Sequence, residues 1–391
     1  MTRPNEFRVS GANKLPVGPG QRKECMQRLK VRSKHFEYEV VFGRGAWRAL
    51  RRSSFRRYSS VFALTERKLW KRWGQSFRHE SGLGGVRPLF VPAGEKSKTL
   101  AVVERLASHL LEFGADRHSL LLLFGGGVIG DLGAFLASTY MRGIDCVQVP
   151  TTVVAQVDSA VGGKTAVNTQ SMKNLLGTFH PARLVVADPL VLASLSRRAF
   201  RSGLYEVVKH AILVGGTFFH QLEETCGSLR PDELETLEPI LARAVAVKVD
   251  VVNRDERERH LRQVLNLGHT FGHALEEATH YRRFLHGEAV GWGLLAVARL
   301  GRRLGALPAA DEERMARLVR QVGFLPPIDD VSPAEIIRLL PQDKKAVRGQ
   351  IHWVIPERIG KVGIVTGVPL SAAAAAFRDV QKSLKSSGAS G

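Results

Sequence analysis

Ser119-Leu-Leu-Leu-Leu-Phe124-Gly-Gly-Gly127-Val-Ile-Gly-Asp131 is the stretch on which the fold turns. Ser119 to Phe124 is an apolar run without polar alternation, which is how a strand covered on both faces reads. Three glycines follow, and then the apolar helix Leu132 to Tyr140. Glycine at a strand-to-helix turn lets the backbone approach a pyrophosphate. The spacing is not G-x-G-x-x-G, however, and a tight turn needs glycine as much as a nucleotide does. Taken alone, the turn leaves both readings open. Working outward, Tyr38 to Phe42, Val61 to Thr65 and Leu89 to Pro92 read as strands. Arg67 to Trp73 is basic and amphipathic, and Thr99 to Phe113 repeats its apolar residues at helical spacing. Strand and helix alternate, so we expect a parallel sheet with helical crossovers and ligands beyond the carboxyl ends of its strands. From about Ala199 the periodicity is helical, broken at Gly215-Gly216, Gly227, Pro231 and Pro308. Gly349 to Val368, with Ile351-His-Trp-Val-Ile355, reads as a short hairpin packed on helices.

At 391 residues with 44% hydrophobic content, the chain exceeds one ordinary core, and two domains are expected. Cys25, Cys146 and Cys226 show neither metal spacing nor an even count, which argues against a disulfide framework. No export signal or membrane span is apparent, so the cytoplasm is the expected compartment. The formal charge of +20 raises the question of nucleic acid. Residues 1–60 hold 15 Lys and Arg against 4 Glu, +11 of that total, and no zinc finger, recognition helix or aromatic-interleaved basic sheet accompanies them. We expect no specific nucleic-acid partner. The expected organisation is a basic, disordered arm over 1–35, an α/β domain over 36–198, a mainly α-helical domain over 199–384 and a flexible tail over 385–391. Removing residues 1–34 is accordingly expected to leave catalysis nearly intact.

The chemistry concentrates in Arg262-Gln-Val-Leu-Asn266-Leu-Gly-His269-Thr-Phe-Gly-His273-Ala-Leu-Glu276 and in Leu285-His286-Gly-Glu288. His269 and His273 are four apart, so on a helix they share a face, and His286 can return from the next helix. Zincins also use such a pair but need Glu directly after the first His. Thr270 stands there, which disfavours peptide hydrolysis. A catalytic zinc takes three protein ligands, and Glu206 in Gly203-Leu-Tyr-Glu206-Val-Val-Lys209-His210 is the best carboxylate to join the histidines. Any one of these side chains alone reads as a satisfied core or surface group. The set is harder to dismiss. Thr151 and Thr152 end a strand with two hydroxyls, and Asp158, Lys164, Lys173 and Asn174 are loop positions. Arg142, Lys209, Lys248, Arg262, Lys344 and Lys345 could meet one anion if they shared a cleft.

These strings resemble the 3-dehydroquinate synthases of the sugar phosphate cyclase superfamily over about residues 90–365. The resemblance is carried by Gly94-Glu-Lys-Ser-Lys98, Gly125 to Asp131, Tyr140-Met-Arg-Gly143, Val149-Pro-Thr-Thr152, Val157 to Lys164, Lys173-Asn174, Gly203 to Lys209, Asp255-Glu-Arg-Glu258, Arg262 to His273, Leu285 to Glu288 and Asp343-Lys-Lys345. It implies an NAD-binding α/β domain with a parallel sheet, an α-helical C-terminal domain, and a site in the cleft between them. Glu206, His269 and His286 would hold a divalent metal, zinc or alternatively cobalt. Glu66, Glu95, Lys98, Gly126, Gly127, Asp131, Thr151, Thr152 and Lys173 would contact NAD. Asp158, Lys164, Asn174, Lys248, Arg262, Asn266 and Lys344 or Lys345 would bind the anionic substrate. Arg142 would reach the phosphate site of a neighbouring subunit in a homodimer. His273, Glu258 and Lys209 would do the catalytic work, the first two matching proton-transfer positions.

The implied reaction converts 3-deoxy-D-arabino-heptulosonate 7-phosphate into 3-dehydroquinate and phosphate. It proceeds by transient oxidation with NAD, phosphate elimination, re-reduction and intramolecular aldol closure. The alternatives are a secondary-metabolic sugar phosphate cyclase and a glycerol-dehydrogenase-like oxidoreductase. Two positions depart from the family pattern: Glu66-Arg67-Lys68 stands where Asp-x-Asn is usual, and Ala199 where a Glu is expected.

Overall fold

The structure, a computed structural model, describes residues 26–52, 55, 57–340 and 350–387, with side chains described as far as residue 383. The chain divides into two compact units. One comprises residues 17–195 and 230–253, and the other residues 196–229 and 254–391 together with 1–16, which lie outside the described residues.

The first unit is built on strands β1 (Gln27–Arg32), β2 (Glu37–Phe42), β3 (Val61–Thr65), β4 (Arg87–Phe90), β5 (Leu120–Gly125), β6 (Asp145–Pro150) and β7 (Leu184–Ala187). They form one sheet in the order β1-β2-β7-β6-β5-β3-β4, parallel throughout except for β1 against β2. Every residue of β5 is buried, as its apolar run requires. Pro88 is tolerated because β4 is an edge strand, where a missing donor breaks no inner ladder. Helices α1 (Arg67–Ser81), α2 (Leu100–Glu112) and α3 (Gly127–Thr139) make the crossovers. The apolar face of α1 joins an aromatic cluster in which Phe124 lies 5.0 Å from Phe77 and 5.8 Å from both Trp47 and Trp70, centroid to centroid. Such rings contribute beyond their buried area when tilted or edge-on, as these are.

The second unit contains α4 (Arg197–Val214) and α5 (Gly216–Thr225). α6 (Leu234–Arg254) belongs almost wholly to the sheet unit. After it come α7 (His269–Ala278), α8 (His286–Arg303), α9 (Ala309–Val322), α10 (Pro333–Leu339), the antiparallel hairpin β8 (Trp353–Arg358) and β9 (Lys361–Val365), and α11 (Leu370–Ser387). Trp353 of the hairpin packs 5.3 Å from Phe271 of α7, so the hairpin sits on the helices as the sequence suggests. Among the described residues no helix is long and apolar enough to cross a membrane.

Three boundaries differ from the sequence reading. Residues 27–32, assigned to the arm, form β1: Val31 is fully buried, and Asn253 binds the strand by accepting from Arg32 N at 2.7 Å and donating to Lys30 O at 3.1 Å. Residues 230–253 cluster with the sheet rather than with the helical unit, partly because Glu238 accepts from Arg44 Nε at 3.2 Å. The backbone of α11 continues to Ser387, past the expected start of the tail. The rest of the arm, residues 1–25, and the last four residues lie outside the described residues. A chain lacking residues 1–34 loses β1 and its tie to Asn253. It is therefore expected to melt at least about 2 °C below one lacking residues 1–25. Equal melting temperatures in thermal unfolding would contradict that role for β1.

Candidate active site

In the helical unit, Glu206 of α4, His269 of α7 and His286 of α8 present one donor atom each within 4.8 Å of one another. His269 Nε2 lies 3.5 Å and His286 Nε2 3.4 Å from Glu206 Oε1. The remaining nitrogens are anchored: His269 Nδ1 lies 3.3 Å from Leu267 O and His286 Nδ1 3.2 Å from Glu276 Oε2, both acceptors. A proton on each Nδ1 leaves both Nε2 lone pairs aimed at the carboxylate. Two imidazole acceptors and a carboxylate facing one point repel unless a cation lies among them, and a carboxylate behind a ligating His is the usual support for a bound metal. The donor set, one carboxylate and two imidazoles, fits a divalent ion of zinc type. The field around His286 agrees. Burial opposes the imidazolium, but the carboxylates of Glu276 and Glu206 outweigh it and raise the group to about 10.

Glu206 and Lys209 are completely buried and ion-paired with each other, one turn apart on α4. Buried charges persist only when paired and hydrogen-bonded. His273, the other half of the i, i+4 pair, lies 5.5 Å from His269 and 6.1 Å from His286 by ring centroid, beside Glu276 rather than Glu206. The buried Arg262 donates through Nη1 to Glu256 O at 2.5 Å. Asn266 Nδ2 donates to Glu258 Oε1 at 2.7 Å, and Asp255 holds this turn by accepting from the backbone of Arg259, His260 and Arg262.

Helix packing brings the ligands this close. A Cβ on Gly293 of α8 would stand 1.8 Å from Gly268 O, directly before His269, and one on Gly287 1.8 Å from Ser202 O of α4. Only glycine lets these backbones touch. Glu276, Gly287 and Gly293 were not singled out by the sequence reading. Glu276 had a signal, since it lies seven residues after His269 and three after His273, on the same helical face.

In the sheet unit, Gly126 precedes α3 and Gly127 opens it, at the end of β5. Thr151 N donates to Gly125 O at 3.0 Å, and Thr152 Oγ1 accepts from Ala155 N at 3.2 Å. Lys98, almost fully buried, donates to Asp131 Oδ2 at 2.5 Å and also to Asn174 Oδ1. Asn168 donates to Glu95 Oε1 at 2.9 Å and accepts from Asn174 N at 2.9 Å, closing a network that the sequence reading had split between cofactor and substrate residues. Lys248 of α6 is ion-paired with Asp158. Lys164 and Arg142 are exposed and Lys173 is half-exposed. Met141 and Arg142 hold positive φ of 48° and 70°, strained for residues with side chains. Glu66 precedes α1 at the end of β3 and is half-buried, and burial raises its carboxyl above the usual range. Ala199 sits in the first turn of α4, its N–H bound by Ser196 Oγ at 3.2 Å. Lys344 and Lys345 lie outside the described residues. Cys146 and Cys226 are buried, with thiols pushed up to about 12 by burial, so neither supplies a thiolate.

The family model for the N-terminal part of 3-dehydroquinate synthase matches residues 88–202, and that for its C-terminal part matches residues 203–346. The chain belongs to the 3-dehydroquinate synthase family. It is 43% identical over 310 residues to the 3-dehydroquinate synthase of Solibacter usitatus, covering 79% of this chain and 86% of the relative. It is 38% identical over 343 residues to that of Dictyoglomus turgidum, covering 88% and 95%. Among solved structures, ValA, a 2-epi-5-epi-valiolone synthase from Streptomyces hygroscopicus with NAD+ and Zn2+ bound, matches with a TM-score of 0.81 at 28% identity, covering 90% of this chain and 99% of that one. A glycerol dehydrogenase from Schizosaccharomyces pombe, at 16% identity and a TM-score of 0.63 over 88% of each chain, shares the fold alone.

Proposed function

We propose that this chain converts 3-deoxy-D-arabino-heptulosonate 7-phosphate into 3-dehydroquinate and phosphate, the shikimate-pathway reaction for which its relatives are named. The observation that carries the reading is the convergence of Glu206, His269 and His286 on one point, backed by Lys209 and Glu276, in a chain of this family. A divalent ion on those three ligands would polarise a carbinol oxygen, and NAD would take up and return a hydride, so that net redox is zero. The chain's own residues do the rest. Lys209 balances the buried Glu206 charge and keeps a cation at the ligand set. Arg262, Lys248, Lys164 and one of Lys344 or Lys345 are assigned to the carboxylate and phosphate of the substrate, and Asp158, Asn174 and Asn266 to its hydroxyls. A low-dielectric surrounding makes the buried charges of Arg262 and Lys248 count for more than in water. His273 and Glu258 are the proton carriers, and the hydrogen bond from Asn266 fixes the Glu258 carboxylate. Glu66, Glu95, Lys98, Gly126, Gly127, Asp131, Thr151, Thr152 and Lys173 are assigned to NAD. We take the active form as a homodimer to which Arg142 contributes across subunits; its exposure at the end of the kinked 3-10 turn Tyr140–Arg142, where it and Met141 hold strained positive φ, supports this.

The test is phosphate release from the heptulosonate phosphate with NAD and zinc present, followed at the absorbance of reduced nicotinamide. Phosphate should appear without accumulating NADH, whereas a net dehydrogenase would accumulate it. Lys164→Ala should lower kcat/KM for the substrate about ten- to hundredfold, the worth of a charge-assisted contact. Asp131→Ala should instead raise the NAD concentration needed for half-maximal rate. An effect of Lys164→Ala confined to the NAD dependence would move Lys164 to the nucleotide.

A further inference from the structure

We infer that the ribose edge of the nucleotide cradle also admits a 2′-phosphate, so that the chain binds NADP as well as NAD. Arg67 and Lys68 would be the residues that accept the phosphate, and Glu66 the one that favours the free hydroxyl. The inference rests on the nucleotide reading of the Gly125–Gly127 turn proposed above.

Strand β3 lies directly beside β5, in parallel, with Leu64 opposite Leu123. Glu66, two residues further on, therefore stands at the strand edge next to the glycine turn that ends β5. In sheets of this kind the adenosine ribose lies over the end of the strand beside the glycine turn. An acid there bonds the 2′-hydroxyl, and an arginine there accommodates a 2′-phosphate. This chain places both. The Glu66 side chain makes no capping bond to α1, and burial alone accounts for its raised carboxyl, so the two cations that follow it in sequence do not neutralise it.

Arg67 and Lys68 are exposed, and among the described residues neither has a carboxylate within ion-pair distance. Arg67 is not adrift in solvent: its guanidinium lies over the ring of Phe90, 4.6 Å from the centroid, at the end of the neighbouring strand β4. Its charge is thus held at the same row of strand ends that carries Glu66. The first turn of α1 contains no acid, and cations in a first turn oppose the helix dipole. An anion seated there relieves both.

Equilibrium dialysis of the purified full chain against NAD and against NADP tests this, with bound nucleotide released and quantified. NADP is expected to bind within about tenfold of NAD. The double variant Arg67→Ala/Lys68→Ala should weaken NADP about ten- to hundredfold while leaving NAD within about threefold, because the lost contacts are to the phosphate alone. Both side chains are exposed and alanine favours helix, so the variant should keep the parent's melting temperature. Glu66→Gln should act the other way, weakening NAD and tightening NADP. The inference is overturned if NADP fails to bind where NAD saturates, or if the double variant weakens both nucleotides equally. If neither nucleotide binds the unmodified chain, it is the cofactor reading of the glycine turn that fails, and this inference with it.

Discussion

Replacing His269 by Ala is expected to remove tightly bound divalent metal and turnover together. Its Nε2 is one of three donors around a single point, 3.5 Å from Glu206 Oε1. His273 is on the same helix, but its ring lies 5.5 Å away and is grouped with Glu276 and His286. The charge stabilisation a catalytic metal supplies is several kcal/mol, so the loss in kcat should be about a thousandfold or more. Glu276→Gln should give a graded version: His286 keeps its place but loses its carboxylate support, and metal affinity should fall about ten- to hundredfold. Metal content after exhaustive dialysis, measured beside kcat, reads both. A His269→Ala protein with full metal and full turnover would remove the ligand assignment.

Gly293→Ala should damage the same centre without touching any ligand. The added methyl would lie 1.8 Å from Gly268 O, 2.8 Å from Gly268 C and 3.1 Å from Gly272 N, all backbone, so no side-chain rotation can relieve it. α7 and α8 must part. Overpacking of this kind costs about 1–3 kcal/mol or more, and the parting carries His269 away from His286. Melting temperature and metal affinity should therefore fall together. Gly84→Ala, which meets nothing within 4 Å, should change neither. A Gly293→Ala chain with the parent's stability and metal content would show that the close packing of α7 on α8 does not position the ligands.

Much of this was legible in the residues. The unbroken apolar run of β5 and the alternation around it announce a buried parallel sheet, because strands covered on both faces cannot afford polar alternation. The i, i+4 histidines announce two imidazoles on one helical face, of which His269 joins Glu206 and His286 while His273 stands beside Glu276. What was missed depends on partners distant in sequence. Gln27–Arg32 reads as an arm because its charges dominate, yet an edge strand tolerates charge on its open side, and its pairing is set by β2 and Asn253. Leu184–Ala187 is too short to stand out until β2 and β6 flank it. That Glu276 stands behind His286 follows from the return of α8, which no periodicity encodes. Glu66-Arg67-Lys68 was visible as a departure, but its setting needed the strand order.

The membership of residues 230–253 in the sheet unit has a consequence for biosynthesis. A ribosome that has released residue 195 has delivered all seven strands, yet the polypeptide whose Asn253, Glu238 and Lys248 hold Arg32, Arg44 and Asp158 is still to come. Another 58 residues must emerge first, on the order of 3–12 s at ordinary elongation rates. During that interval the nascent sheet lacks the helix that ties its loops and its edge strand. A gene cut at residue 198 would leave it in that state permanently, so neither half should be obtainable as an independently folding fragment by cleaving the chain once.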